Sequence, residues 1–237
     1  MTRRPHIPPK DFPRPAAREY AGTRADAARW ARDVLRGQYK AGTVDGKAVP
    51  GYLDEVKVPA GSPCETFVAL RTEVQNWRWA GVPFYLRTGK RLAARDAQIV
   101  VNFRPVPHPI FSGTTRANQL VIKLQPEDGL ELHLLAAKGS GTGEVLSPVF
   151  LDLDFDKAFR SERVGGYERL LLDAIAGRLN LFVRSDEQEE AWRWVEPVQE
   201  HWRADAAGPR SYAAGTWGPS ASSAMIARDG HCWSEEC

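Results

Sequence analysis

Between Trp77 and Val101 the chain reads WRWAGVPFYLRTGKRLAARDAQIVV, and its middle concentrates positive charge. Arg87, Lys90, Arg91 and Arg95 stand between apolar flanks, with no acid before Asp96. Arginine and lysine together suit a phosphate, one as a planar fork of donors and the other as a point charge. A loop on a rigid sheet edge is a common place for such a site. The competing reading is a solvated turn whose charges keep a sheet edge from pairing with another chain. Pattern alone leaves both open.

Other candidate chemistry is thinner. The stretch KGSGTGEV, Lys138 to Val145, lacks the Gly-Lys-Ser/Thr ending of a phosphate loop and precedes a strand pattern, so a hairpin loop is expected there. None of His6, His108, His133, His201 and His231 stands beside a nucleophile motif or in a metal-ligand spacing. His133 alternates with Leu132 and Leu134, which makes it a strand-face residue, and no general base is expected. No G-x-G-x-x-G lies between a strand and a helix, so a dinucleotide site of that kind is not expected either.

The cations need strands to hold them. ETFVALRTEVQNWRW alternates, with Val68, Leu70 and Val74 on one side and Arg71, Glu73 and Gln75 on the other. VPFYLRT, AQIVVNFR, QLVIKLQP, LELHLLAA and PVFLDLDF follow, with no helical pattern between them for parallel crossovers, so antiparallel pairing is predicted. Alternation aims Arg87 with Tyr85, opposite Phe84 and Leu86, and leaves Lys90 and Arg95 in the turn before the next strand. TRADAARWARDVLRG predicts a helix capped by Thr23, with Ala27, Trp30, Ala31 and Val34 on one face and a stop at Gly37. Ala41 to Pro63 reads as an extended loop. GYERLLLDAIAG predicts a helix stopping at Gly177. SDEQEEAWRWVEPVQEHW predicts another, with Ser185 and Gln188 as a capping box and Ala191, Val195, Val198 and Trp202 on one face. A short helix from Pro219 to Arg228 closes the chain. The expected class is α+β, a large mainly antiparallel sheet with helices packed on one face. Residues 1–22 read as a loosely ordered arm and 23–237 as the domain.

With 237 residues, 43% hydrophobic and 26% charged, the chain has ordinary globular composition. A net charge of +2 gives no field that would favour nucleic acid or an anionic membrane. No apolar run approaches the ~18 residues of a membrane span. Cys64, Cys232 and Cys237 suggest no disulfide framework; Cys64 is expected to be a buried thiol and the cytoplasm the default location.

RGQY, PGYLDE, ETFVALR, NWRWAGVPFYLRTGKRL, NQLVIKLQP, YERLLLDAIAG, FVRSDEQEEAWRW and GTWGPSA occur in this order. From about Arg36 to Trp233 the chain thereby resembles the C-terminal domain of glucose-6-phosphate dehydrogenase. The resemblance implies a large, mainly antiparallel sheet that forms a dimer interface. It also implies that Lys90, Arg95 and Gln125 belong to a glucose 6-phosphate site, while Arg87 and Arg91 serve packing or the edge. The family reaction oxidises C1 of the sugar phosphate to the lactone and passes hydride to NADP. The family's Gly-rich turn, its His-Tyr-Leu-Gly-Lys motif and its proton-accepting His are not found in this sequence. No cofactor is therefore expected to bind this chain alone, and alone it is not expected to turn over. Asp96 and Val100 stand where further cations would hold a second, structural NADP. Expected partners are glucose 6-phosphate, weakly, and a second copy through the sheet or a chain carrying the Rossmann half. No nucleic acid and no membrane are expected. The alternative is a non-catalytic dimerisation module or sugar-phosphate binder.

Overall fold

The computed structural model describes residues 32–74, 76–105, 117–138, 145–158 and 165–236. In chain order its strands are β1 (Val34–Lys40), β2 (Gly42–Val44), β3 (Lys47–Val49), β4 (Phe67–Glu73), β5 (Pro83–Gly89), β6 (Ala97–Asn102), β7 (Gln119–Gln125), β8 (Gly129–Lys138), β9 (Val145–Asp154) and β10 (Arg210–Ala213). Its helices are α1 (Phe155–Ala158), α2 (Gly166–Ile175), α3 (Ser185–Ala204) and α4 (Ser220–Ala227). The chain divides into two compact units, one of residues 1–94 and 177–237, the other of residues 95–176.

The first unit is built on a four-stranded sheet ordered β10-β1-β4-β5. The β1–β4 and β4–β5 pairs are antiparallel and β1–β10 is parallel. Strand alternation sends Val34, Val68 and Leu70 to one face, where Val198 and Trp202 of α3 pack on them. It sends Leu35, Tyr39, Phe67, Ala69 and Tyr212 to the other, where they form a core with Met225 of α4. Gly37 sits in the middle of β1 because a Cβ there would lie 2.9 Å from Cγ of Pro219 and 3.2 Å from the Arg210 carbonyl oxygen.

The second unit is a meander, β6-β7-β8-β9, with every neighbouring pair antiparallel. Its register lines up aliphatic residues rung by rung. Val101, Leu120, Leu132 and Leu151 form one rung, and Ile99, Ile122, Leu130 and Leu153 the next. The opposite face is mixed, with the rung Asn102, Gln119, His133 and Phe150. Lys138 pairs with Val145, so β8 and β9 are antiparallel neighbours up to that rung, and the expected hairpin loop at 139–144 lies outside the described residues.

The α+β class and the mainly antiparallel pairing hold, and the six predicted strand runs are β4 to β9. The strands nevertheless fall into two four-stranded sheets, and the first carries helices on both faces. The physical reason is the tail, whose Met225 and Trp233 cover the side that α3 leaves free. Four local expectations are also corrected. Val34 and Gly37 belong to strand β1 rather than to a helix; Arg32 and Asp33 are its described end, and Thr23, Ala27, Trp30 and Ala31 lie outside the described residues, as do residues 1–22. The expected loop after Ala41 holds the β2–β3 hairpin, turned by Asp45 and Gly46 at φ 50° and 74°, the left-handed pair a two-residue hairpin needs. The cap of α3 is Arg184, not Ser185: its backbone N–H donates to Oε2 of Glu187 at 3.0 Å. Cys64 is exposed, because it precedes the buried start of β4 at Thr66 and Phe67.

Candidate functional site

The four cations of the Arg87–Arg95 segment meet different fates. Arg87 pairs with Ala69 across the β4–β5 ladder and so faces the tail. Its guanidinium lies over the rings of Trp233 and Trp217, 4.3 and 5.2 Å from their centroids. It also forms a 2.5 Å ion pair with Glu235. Stacking of this kind favours arginine over lysine. Arg91, at φ 53°, sends Nη2 to Oε1 of Glu55 at 3.1 Å, and the Tyr39 hydroxyl donates to the same oxygen at 3.0 Å. The Arg91 bond, helped by that hydroxyl, holds the Glu55 carboxyl below its usual range.

Lys90 is different. Its backbone is fixed on both sides: its N–H donates to the Thr66 carbonyl at 2.8 Å and its carbonyl accepts from the Tyr212 hydroxyl at 2.7 Å. The next carbonyl, of Arg91, accepts from Gly215 N–H at 2.8 Å. The Lys90 side chain is exposed, and no described residue pairs with it. The sheet edge thus presents a free ammonium on a rigid backbone.

Arg95 and Gln125 belong to the second unit. Gln125 is the last residue of β7 and pairs with Ala97, two residues beyond Arg95, where the β6–β7 register slips by a bulge. The ladder therefore brings these two to the same end of the meander. Both side chains are exposed, and neither has a partner among the described residues.

On the mixed face of the same meander, Glu131 takes Lys123 and the Nε2 of His133, the latter at 2.9 Å. Lys123, and then His133, hold the Glu131 carboxyl below its usual range. His133 is thus a strand-face residue in an ion cluster, as alternation predicts. Among the described residues there is no group of acids, cysteines and histidines suited to a metal, and no helix long and apolar enough to cross a membrane.

Sequence reasoning missed the residues that organise the Lys90 turn: Thr66, Tyr212, Glu55 and the tail aromatics. A clue lay in Tyr212, Trp217 and Trp233, which keep the last 27 residues as aromatic as the rest of the chain, as suits a packed tail and not a disordered one. Nothing local links those residues to Lys90.

An α+β fold built on one mixed and one antiparallel sheet, with a cation turn at the end of one strand, is the class that this geometry defines. Comparison supplies the family. The model of "Glucose-6-phosphate dehydrogenase, C-terminal domain" matches residues 22–234. The chain is 48% identical over 205 residues to a glucose-6-phosphate 1-dehydrogenase of Rhizobium meliloti, covering 85% of this chain and 42% of that protein. It is 47% identical to that of Mycolicibacterium smegmatis, with 85% and 41% covered. A solved structure described as glucose-6-phosphate dehydrogenase in complex with its substrate glucose-6-phosphate superposes with TM-score 0.75 at 32% identity, covering 86% of this chain and 42% of that one. That of Mycobacterium avium gives 0.65 at 35% identity, with 86% and 40% covered. The chain belongs to the glucose-6-phosphate dehydrogenase C-terminal domain family. It spans about two fifths of the length of the relatives it matches.

Proposed function

We propose that this chain supplies the substrate-binding and dimerising part of a glucose-6-phosphate dehydrogenase, with Lys90, Arg95 and Gln125 as ligands of the sugar phosphate. One observation carries the reading. Of the clustered cations, Arg87 and Arg91 are engaged by Glu235, two tryptophans and Glu55, whereas Lys90 and Arg95 keep exposed side chains without a partner among the described residues. A solvated edge would not require such a division. Lys90 and Arg95 would neutralise the phosphate, and Gln125 would donate its amide to a phosphate or sugar oxygen.

The family reaction, oxidation of glucose 6-phosphate at C1 with reduction of NADP, requires hydride acceptor and base held in register with the sugar. Among the described residues no strand runs through a glycine-rich turn into a helix, and the hydride-accepting NADP is assigned to a nucleotide-binding half supplied by another chain or domain. The chain alone binds without turning over. Its partner is a second copy, meeting it through the aliphatic sheet face, or a chain that carries the nucleotide-binding half. The exposure of Leu151, at 64%, and of Leu153, at 45%, supports the sheet contact. The same exposure also favours a second reading, a non-catalytic dimerisation module.

Calorimetric titration of the chain with glucose 6-phosphate tests the proposal. The expected affinity is millimolar, about 4 kcal/mol, as suits a phosphate held by few ligands. It is expected to vanish with glucose and with Lys90→Ala. Equal heats from glucose and glucose 6-phosphate would overturn the reading and leave dimerisation as the function.

A further inference from the structure

Resting on that reading, we infer that Tyr212 is a positioning residue for Lys90. The hydroxyl of Tyr212 is buried, its residue only 5% exposed, and it meets three oxygens: the Lys90 carbonyl at 2.7 Å, the Thr66 hydroxyl at 3.1 Å and the Thr66 carbonyl at 3.2 Å. A phenol has one proton to give. The shortest contact assigns it to the Lys90 carbonyl, so the Thr66 hydroxyl must donate to Tyr212 rather than accept from it. The Thr66 oxygen is then free to accept the Tyr39 backbone N–H, which lies 3.0 Å away. Counting protons thus gives one directed chain, from the Tyr39 N–H through the Thr66 and Tyr212 hydroxyls to the Lys90 carbonyl. It starts on β1, crosses to Thr66 just before β4, passes to β10 and ends on the turn after β5.

Every link is buried or half-buried, and the ring that carries the hydroxyl is itself fixed. Its centroid lies 5.6 Å from that of Phe67 and 6.3 Å from that of Tyr39. Phe67 is 1% exposed. With the Lys90 N–H already given to the Thr66 carbonyl, Tyr212 closes the second side of the residue whose ammonium is the free cation. The ligand therefore meets a backbone position set in advance, and removing the hydroxyl releases one side of it. Sequence gives no hint of this pairing, because the two residues are 122 positions apart.

The test is Tyr212→Phe in the full chain, which keeps the ring and deletes the one donor. Val198→Ala, on the other face of the same sheet, serves as a variant that lowers stability without touching the turn. Two quantities are read at a temperature where all variants are folded: the Kd for glucose 6-phosphate and the hydrogen-exchange rate of the Lys90 amide. Tyr212→Phe is expected to raise Kd about fivefold, the effect of one lost hydrogen bond, and to speed that exchange about tenfold. Val198→Ala is expected to change neither. Unchanged values in Tyr212→Phe, or equal changes in Val198→Ala, overturn the inference. If Lys90→Ala abolishes binding while Tyr212→Phe leaves it intact, the inference alone falls. If Lys90→Ala binds as the parent does, the sugar-phosphate reading fails and takes the inference with it.

Discussion

Arg87 and Lys90 stand three residues apart and carry the same charge, yet their surroundings give them opposite uses. The Arg87 guanidinium is planar and weakly hydrated, so it can leave water between the faces of Trp217 and Trp233 and meet Glu235 there. Its side chain is 11% exposed and that of Glu235 16%. Truncation would empty the space beside two indoles and strand a largely desolvated carboxylate. Arg87→Ala is therefore expected to lower the stability of the chain by about 2–3 kcal/mol in urea unfolding, with Arg87→Lys recovering less than half of the loss. An unchanged midpoint would mean that the tail does not depend on this cation. The charge cluster itself was legible in the sequence, as was the side to which Arg87 points. The aromatic partners that decide its role were not, since they follow it by more than a hundred residues.

Among the helices, α3 shows how an element is held by half of its length. Val198 and Trp202 are buried against the sheet, while Trp192, nearer the start, is 53% exposed. The buried half also carries His201, and Asp205, just past the helix end, pairs with Arg36 of β1. Burial, with Arg36 adding to it against the opposing pull of Asp205, lowers the His201 pKa from its usual 6.5. The folded state therefore prefers neutral imidazole, and the unfolded chain binds the extra proton first. The contribution to stability is full above pH 6.5 and is lost as pH falls through the lower folded value. Thermal melts are expected to show destabilisation between neutral pH and pH about 5, reduced in His201→Asn. A variant as pH-sensitive as the parent would assign the effect elsewhere. Period-two alternation predicted β4 to β9, apolar spacing predicted α3, and flanking glycine and proline signals predicted α2 and α4, each helix to within a few residues. The run before Gly37 misled because Ala-rich helical spacing continues into Val34, where pairing with Leu70 makes it a strand. The Asp45–Gly46 turn was a readable hairpin signal that the surrounding prolines and glycines obscured.

For the molecule as a whole, the aliphatic face of the β6–β9 meander is an apolar surface left open to water. Leu151 and Leu153 on β9 and Ile99 and Val101 on β6 are all well exposed, at 64%, 45%, 49% and 38%. Edge-to-edge rungs of aliphatic residues do not persist in water without a cover. Leu151→Asp places a charge on that face, at its β9 edge, and burying it unpaired would cost several kcal/mol. Analytical ultracentrifugation is expected to show a concentration-dependent dimer for the parent chain and a self-association at least about tenfold weaker for the variant. A parent that sediments as a monomer at all concentrations would exclude this face as a contact between copies.

Sequence by itself determined the types of β4 to β9 and of α2 to α4, the α+β class and the sides on which alternating residues lie, because helix and strand periodicities and turn signals are short-range properties of the backbone, and its ordered motifs carried the family. It also placed Lys90 and Arg95 in one turn and Gln125 at a strand end. What only the tertiary structure decided is which cation is free. That choice depends on the β10-β1-β4-β5 strand order, which carries Tyr212 to the Lys90 carbonyl, and on the tail that brings Trp217, Trp233 and Glu235 to Arg87. Such contacts join residues far apart in the chain, and no local pattern encodes them.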